Sequence, residues 1–191
     1  VYLLALPKVH LEDVYVKPLV SKNMLELEVT VQNNTEKKAD LQIQGKVNEW
    51  VNLAGTDINS APVPAWKLGQ EALKVAPVKV AIPANASSKV VLQVPVSGEL
   101  NFWTPEQPNL YAVLLSLQAK KETLDMKYER FGWREWTLQG TTQYLNGKPY
   151  QLRGDSWHFM GIPQMTRRYA WAWFTAIKGM NANAVRPHAQ I

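Results

Sequence analysis

The chain contains no cysteine and only 3 histidines among its 191 residues. Without thiols, disulfide frameworks, thiolate metal sites and cysteine nucleophiles are excluded. The histidines do not show the paired spacing that zinc ligands use, so no metal and no other cofactor is expected. The longest apolar run, Leu110–Leu117, falls far short of the roughly 20 residues that span a bilayer. The sequence therefore predicts no membrane partner.

The excess of positive over negative side chains is also small. Lys and Arg total 21 against 16 Asp and Glu, which gives a formal net charge of +5. The densest basic groupings are pairs, namely Lys37-Lys38, Lys120-Lys121 and Arg167-Arg168. A surface that follows a phosphate backbone needs a stripe of such residues, so no nucleic acid partner is expected.

With 46% hydrophobic and 19% charged residues, the chain has the balance of a globular protein. Its length allows one or two domains. It begins at Val1, with no Met and no signal peptide, so we expect a piece of a longer protein. Its compartment stays open, because a lack of cysteine suits bacterial periplasm and cytoplasm equally well.

The first two thirds of the chain show the pattern of short half-buried strands. In Met24–Gln32, four aliphatic residues alternate with polar ones, which is the period-two pattern of a strand with one buried face. We predict seven strands, at 9–17, 24–32, 39–48, 74–82, 88–96, 110–118 and 123–131. The protein is therefore expected to be mainly β, with an immunoglobulin-like antiparallel β-sandwich over residues 1–131.

One segment breaks this rhythm. Glu49–Leu73 carries several glycines and prolines and no sustained alternation. We predict an insertion outside the sheets, with Trp50 and Trp66 anchoring it to the sandwich surface. A cover for an active site or a subunit contact is the functional alternative.

The pattern changes after residue 131. Asn146-Gly147 predicts a tight turn between two strands, and Thr166 is a good N-cap for a helix over 167–180. A strand before this helix and another near Ala184 complete a β-α-β unit, the building block of parallel sheets. Four residues at helical spacing predict a buried stripe, namely Ala170, Trp173, Phe174 and Ile177.

Four segments, in chain order, carry the pattern of one known family. They are Phe102–Tyr111 (Trp-Thr-Pro-Glu-Gln-Pro-Asn-Leu-Tyr after the phenylalanine), Phe131–Arg134, Leu145–Pro149 with Leu152–Gly154, and Asn183–Arg186. Each resembles the corresponding segment of glycoside hydrolase family 2, which includes β-galactosidases, β-glucuronidases and β-mannosidases. The resemblance implies that residues 132–191 are the first β-α-β segment of a truncated TIM barrel. Residues 1–99 resemble the family only as a sandwich in the expected place.

The resemblance also implies the chemistry. Retaining glycosidases use two carboxylates about 5–5.5 Å apart, and in this family both are glutamates on later barrel strands. We therefore expect no catalytic residue in this chain, and expect the chain alone to be inactive. Asn48-Glu49 imitates the family's acid/base pair, but it falls in a sandwich strand and is interpreted as chance.

Substrate-binding residues are expected at the ends of the first two barrel strands. The candidates are Asp155, Trp157, His158, Arg186 and His188. Ser156 and Trp157 replace the asparagine and basic residue that the family commonly has before its histidine, which His158 matches, and His188 comes one residue early. For each candidate a packing, loop or ion-pair role is the alternative. Trp171 and Trp173 are expected in packing rather than sugar binding.

Two functions remain open. The first is part of a retaining, β-galactosidase-like glycosidase that hydrolyses terminal β-linked sugars. Its partners would be a carbohydrate substrate and the remaining domains of the parent chain. The second is a non-catalytic carbohydrate-binding or spacer module.

Overall fold

The computed structural model describes residues 5–54, 64–157 and 166–187. Two compact units are distinguished in the chain. The first takes in residues up to Val51 together with Leu68–Trp136, and the second takes in Asn52–Lys67 and the residues from Thr137 onward. The sequence-based division between 131 and 132 stays a prediction.

All seven predicted sandwich strands are present in the described residues. They are β1 (Val9–Leu19), β2 (Met24–Asn33), β3 (Ala39–Asn52), β4 (Trp66–Ile82), β5 (Ala86–Pro95), β6 (Tyr111–Ala119) and β7 (Glu122–Phe131). One sheet has the order β1-β2-β5 and the other β4-β3-β6-β7. The pairings β1–β2, β2–β5, β3–β6 and β6–β7 are antiparallel, which confirms the sandwich expected from the period-two pattern.

The core lies between the two sheets. Leu25, Leu27, Val29 and Val31 of β2 are fully buried, as their alternation predicts. They share one hydrophobic cluster with residues of the facing sheet, among them Ile43. Each such side chain contributes roughly 1.5–3 kcal/mol by leaving water, so this interior dominates the stability of the first unit.

The turn at Asn33-Asn34-Thr35 is held by a buried side chain. Asn33 is 0% exposed, and its amide nitrogen donates to the carbonyls of Lys37, Ile82 and Pro83 at 2.9, 3.2 and 2.9 Å. Its side-chain oxygen accepts from the Thr35 backbone nitrogen and hydroxyl. Every polar group of this buried amide is thereby satisfied.

An ion-pair cluster lies on β1, β2 and β5. Lys17 pairs with Glu28 and, at 3.4 Å, with Glu26, while Lys89 lies 3.0 Å from Glu28. The hydrogen bond from Lys17, followed by that from Lys89, lowers the pKa of Glu28 below 4.5. The bond to Glu28 in turn raises the pKa of Lys17.

The expectation that Glu49–Leu73 lies outside the sheets is wrong for the described part of that segment. Strand β3 continues to Asn52, and β4 begins at Trp66 beside it in the same sheet. The Leu53 backbone nitrogen donates to the Ala65 carbonyl at 2.8 Å, so the pairing extends beyond the strand ends. Residues 55–63 lie outside the described residues.

Gly69 is one of the residues that made the ends of β3 and β4 look like a loop in the sequence. Gly69 sits within β4, where a Cβ would come 3.0 Å from Glu49 Cβ and 3.0 Å from Val51 Cγ2. The glycine therefore permits a close approach of β4 to β3 and does not end the strand. Trp50 lies in β3, and its ring packs 6.2 Å from Tyr128.

The second unit contains two further sheets in its described part. Strands β8 (Trp136–Gln139), β9 (Thr142–Leu145) and β10 (Lys148–Pro149) form one, in the order β10-β9-β8, and β11 (Gly154–Trp157) and β12 (Ala184–Pro187) form the other. The helix α1 spans Arg167–Gly179. Asn146 and Gly147 have φ of 52° and 75°, the left-handed conformation of the predicted two-residue turn. No helix in the described ranges is both long and apolar enough to span a bilayer.

Candidate functional site

A parallel strand–helix–strand unit carries three of the predicted site residues, Asp155, Trp157 and Arg186. Strands β11 and β12 pair in parallel, in a register that runs from Gly154 opposite Ala184 to Trp157 opposite Pro187. Helix α1 connects them in sequence, so the predicted β-α-β unit is confirmed. The carboxyl ends of both strands lie at the same edge of this small sheet.

The helix begins where the sequence predicts. Thr166 has extended backbone angles, and its hydroxyl accepts a hydrogen bond from the Tyr169 backbone nitrogen at 3.1 Å. This is the N-cap arrangement that satisfies one of the unpaired amides of the first turn. After the helix, Asn181 turns the chain toward β12 with a φ of 63°.

Arg186 and Ser156 lie on the same face of the strand pair. The register sets them directly opposite each other, and Arg186 Nη2 donates to Ser156 Oγ at 3.1 Å. The Arg186 side chain is exposed near the carboxyl end of its strand. Its planar guanidinium presents a fork of donors that matches a carboxylate or vicinal sugar hydroxyls.

Asp155 and Trp157 lie on the other face, because side chains alternate along a strand. The Asp155 carboxylate is exposed, and Oδ1 accepts from the Ser156 backbone nitrogen at 2.7 Å. Trp157 is the last residue of β11. Its ring packs on helix α1, edge-on to Phe174 at 5.1 Å and stacked with Tyr169 at 6.4 Å. These contacts match the packing alternative for Trp157, and its contact with sugar stays a prediction.

The predicted helical stripe is only partly buried. Ile177 is 3% exposed, whereas Phe174 is 41% exposed and Trp171 48%. Trp173 is half-buried and stacks on Tyr169 at 6.4 Å, which agrees with a packing role. The expectation of a fully buried stripe is therefore wrong at Phe174, because a sheet of two strands is too narrow to cover the whole face. His158 and His188 lie outside the described residues, and their roles stay predictions.

Asn183 is a residue whose contacts the sequence did not reveal. Its Oδ1 accepts from the Arg153 backbone nitrogen at 2.8 Å, and its Nδ2 donates to the Gln151 carbonyl at 3.0 Å. Its backbone nitrogen donates to the Arg153 carbonyl at 2.8 Å. Asn183 therefore ties the segment before β12 to the segment before β11. The Asn183–Arg186 segment of the family resemblance was the available signal for this residue, but only its arginine was predicted to have a role.

The comparison with known families decides the relationship. The family model of glycosyl hydrolases family 2 matches residues 9–134, about two thirds of the chain. The chain belongs to glycosyl hydrolase family 2. Among its relatives, a β-galactosidase of Priestia megaterium is 26% identical over 97% of this chain and 17% of its own length. A provisionally named β-glucuronidase of Formosa agariphila is 28% identical over 97% of this chain and 20% of its own length.

Solved structures agree on the fold. A family 2 β-galacturonidase from Eisenbergiella tayi, bound to galacturonate, superposes with a TM-score of 0.74 at 18% identity, over 97% of this chain and 30% of its own. The chain thus spans between a tenth and a fifth of the length of the curated relatives it matches.

Two of the family 2 segments contact each other in the first unit. The Trp103 backbone nitrogen donates to the Trp133 carbonyl at 2.9 Å, and the Arg134 guanidinium lies 4.0 Å from the centre of the Trp103 ring. A Cβ at Gly132 would come 2.8 Å from Trp103 Cβ, so glycine is needed for this approach. Asn109 Nδ2 donates to the Phe102 carbonyl at 2.8 Å. The two segments therefore act as a structural joint.

Proposed function

We propose that this chain is part of a retaining glycoside hydrolase, β-galactosidase-like, that hydrolyses terminal β-linked sugars. In this proposal both catalytic glutamates come from parts of the parent protein outside residues 1–191, and the chain alone is inactive. The partners are a carbohydrate substrate and the remaining domains of the parent. The family membership of the chain is the observation that supports the reaction class.

The parallel pair β11 and β12 supports the location of the site. Residues 132–191 would be the first β-α-β segment of a (β/α)₈ barrel, with residues 1–131 as the sandwich that precedes it. Barrel enzymes bind substrate at the carboxyl ends of their strands. Arg186 lies near such an end, with its guanidinium on the face opposite Trp157 and Asp155.

Arg186 would orient a catalytic glutamate. A retaining glycosidase needs one carboxylate held as an anion for attack at the anomeric carbon, while the other first donates and then accepts a proton. A guanidinium favours the charged form of a neighbouring carboxylate and fixes its plane through two parallel hydrogen bonds. His158 and His188 would complete the substrate-binding rim, and any sugar contact of Asp155 and Trp157 would be made from the other face of the strand pair.

The sugar is a separate question. We propose a terminal β-galactoside, which the relative from Priestia megaterium supports. A β-glucuronide is the second candidate, because the relative from Formosa agariphila matches a similar share of the chain. Turnover of 4-nitrophenyl β-galactoside and of 4-nitrophenyl β-glucuronide by the parent protein separates the two candidate substrates. A pocket whose polar groups match the C6 group of one sugar leaves polar groups unpaired when the other sugar binds.

The role of Arg186 is tested by Arg186→Ala in the parent protein. We expect kcat to fall more than KM rises, because orienting a catalytic carboxylate acts mainly in the transition state. Arg168→Ala, the same change at an exposed position of α1, is the matched control and should leave kcat unchanged. Unchanged turnover in Arg186→Ala would refute this role. A parent protein that binds sugars without hydrolysing them would favour the non-catalytic module.

A further inference from the structure

The link between β11 and β12 is concentrated at one end of the strand pair. Asn183 bonds through its side chain to the backbone of Gln151 and Arg153, and the Ala184 backbone nitrogen also donates to the Arg153 carbonyl at 3.2 Å. Arg153 Nε returns a bond to the Asn181 carbonyl at 3.0 Å. Both strands are thus fixed relative to each other before the first pair of the ladder, Gly154 opposite Ala184.

The register matters because side chains alternate along a strand. A slip of one residue would move Arg186 to the opposite face of the sheet. In the observed register Arg186 lies opposite Ser156, three residues beyond Asn183. The strands themselves are only four residues long, so their own ladder specifies the register weakly. The side chain of Asn183 supplies the specification that such short strands lack.

The amide is suited to this task. Its oxygen accepts from a backbone nitrogen and its nitrogen donates to a backbone carbonyl, so both ends of the group are matched to two residues of the neighbouring segment. A carboxylate of the same shape would keep the first bond and place an acceptor against the Gln151 carbonyl. That change replaces one hydrogen bond with a repulsion between two acceptors, with almost no change in volume.

We propose that Asn183 is a positioning residue, which sets the parallel register of β11 and β12 and thereby holds Arg186 where it acts on the reaction. The inference rests on the proposed function, because it assigns Asn183 an effect on turnover through Arg186. Within the Asn183–Arg186 segment, Asn183 fixes the strand pair and Arg186 is the group that it positions.

The test is a double-mutant cycle in the parent protein with Asn183→Asp and Arg186→Ala. We expect Asn183→Asp alone to lower kcat by about 10- to 100-fold with KM changed less than about twofold, the scale of a small misplacement of a catalytic group. In the Arg186→Ala background the same change should alter kcat by less than about twofold, because the group that it positions is gone. Asn181→Asp, the same substitution two residues earlier, is the matched control and should leave kcat unchanged.

The possible results distinguish the two levels of the proposal. Losses in kcat that multiply in the double variant would overturn the inference and leave the role of Arg186 intact. An effect on KM alone would also overturn it. If Arg186→Ala itself leaves kcat unchanged, the proposed role of Arg186 fails, and the inference fails with it. Because Asn183→Asp weakens the strand pair, all four proteins are assayed below the lowest of their melting temperatures, and Asn183→Ser provides a second, uncharged variant with the same expected coupling.

Discussion

Gly154→Ala tests the close approach of β11 and β12 without removing any polar group. A Cβ at this position would strike the carbonyl oxygen of Ala184 and lie 2.9 Å from its carbonyl carbon and 3.1 Å from its Cβ. The carbonyl-carbon contact alone is 0.5 Å shorter than the 3.4 Å of ordinary contact (3.4 − 2.9). Two of these neighbours are backbone atoms, so β12 must move as a strand.

The expected magnitude follows from two opposing effects. Overpacking of this kind costs about 1–3 kcal/mol. Loss of backbone freedom in the unfolded chain returns roughly 0.4–1 kcal/mol when alanine replaces glycine. We therefore expect the strand pair to lose about 1–2 kcal/mol, which raises its opening equilibrium by a factor of roughly 5–30.

Hydrogen exchange followed by mass spectrometry on peptides that cover 151–157 and 180–187 measures this opening. Gly179→Ala is the matched control, because it is the same substitution at the last residue of α1, where nothing lies within 4 Å of the new Cβ. It should be neutral or stabilising by up to about 1 kcal/mol. Equal protection in the two variants would refute the close approach of the strands.

Three further predictions concern local stability. Lys120 and Lys121 have φ of 49° and 85°, so replacing them with Asn-Gly should stabilise the β6–β7 hairpin by about 1–2 kcal/mol, and an unchanged urea midpoint would contradict this. Because its lysine partners lower the pKa of Glu28, its contribution to stability is present above pH 4.5 and is lost as the pH falls through its folded value. Glu28→Gln should therefore melt below the wild type at pH 7 and converge with it well below pH 4.5, whereas a constant difference would argue against the pairing. Thr166→Ala should cost helix α1 about 1 kcal/mol, measured as roughly fivefold faster amide exchange at Tyr169, and unchanged exchange would exclude the cap.

Much of the sandwich could be predicted because its strands bury one face each. The alternation in Met24–Gln32 named the four core residues of β2 correctly, since period two is a direct consequence of strand geometry. The extensions of β3 to Asn52 and of β4 back to Trp66 were missed because the glycines and prolines of 49–73, Gly69 among them, looked like breaks. Whether a glycine ends a strand or admits a neighbouring strand depends on the partner, which a single sequence does not reveal.

In the candidate site, too, the features set by local sequence were predictable and those set by distant residues were not. Thr166, the helix and the parallel strands followed from local signals, namely a cap residue, helical spacing and the order of the elements. The bonds of Asn183 join residues about 30 positions apart, and no local pattern reports them. The contacts of Trp157 with Tyr169 and Phe174 likewise depend on how the helix folds back, so no local pattern reports them.

The stereochemistry of hydrolysis tests the central claim most directly. Proton NMR of the parent protein with an aryl β-galactoside, recorded in the first minutes before the free sugar equilibrates, identifies the anomer that is released. A retaining glycosidase forms a covalent glycosyl-enzyme and releases the β-anomer first, and that is the predicted result. Initial release of the α-anomer, or no hydrolysis of any β-glycoside by the parent protein, would contradict the account.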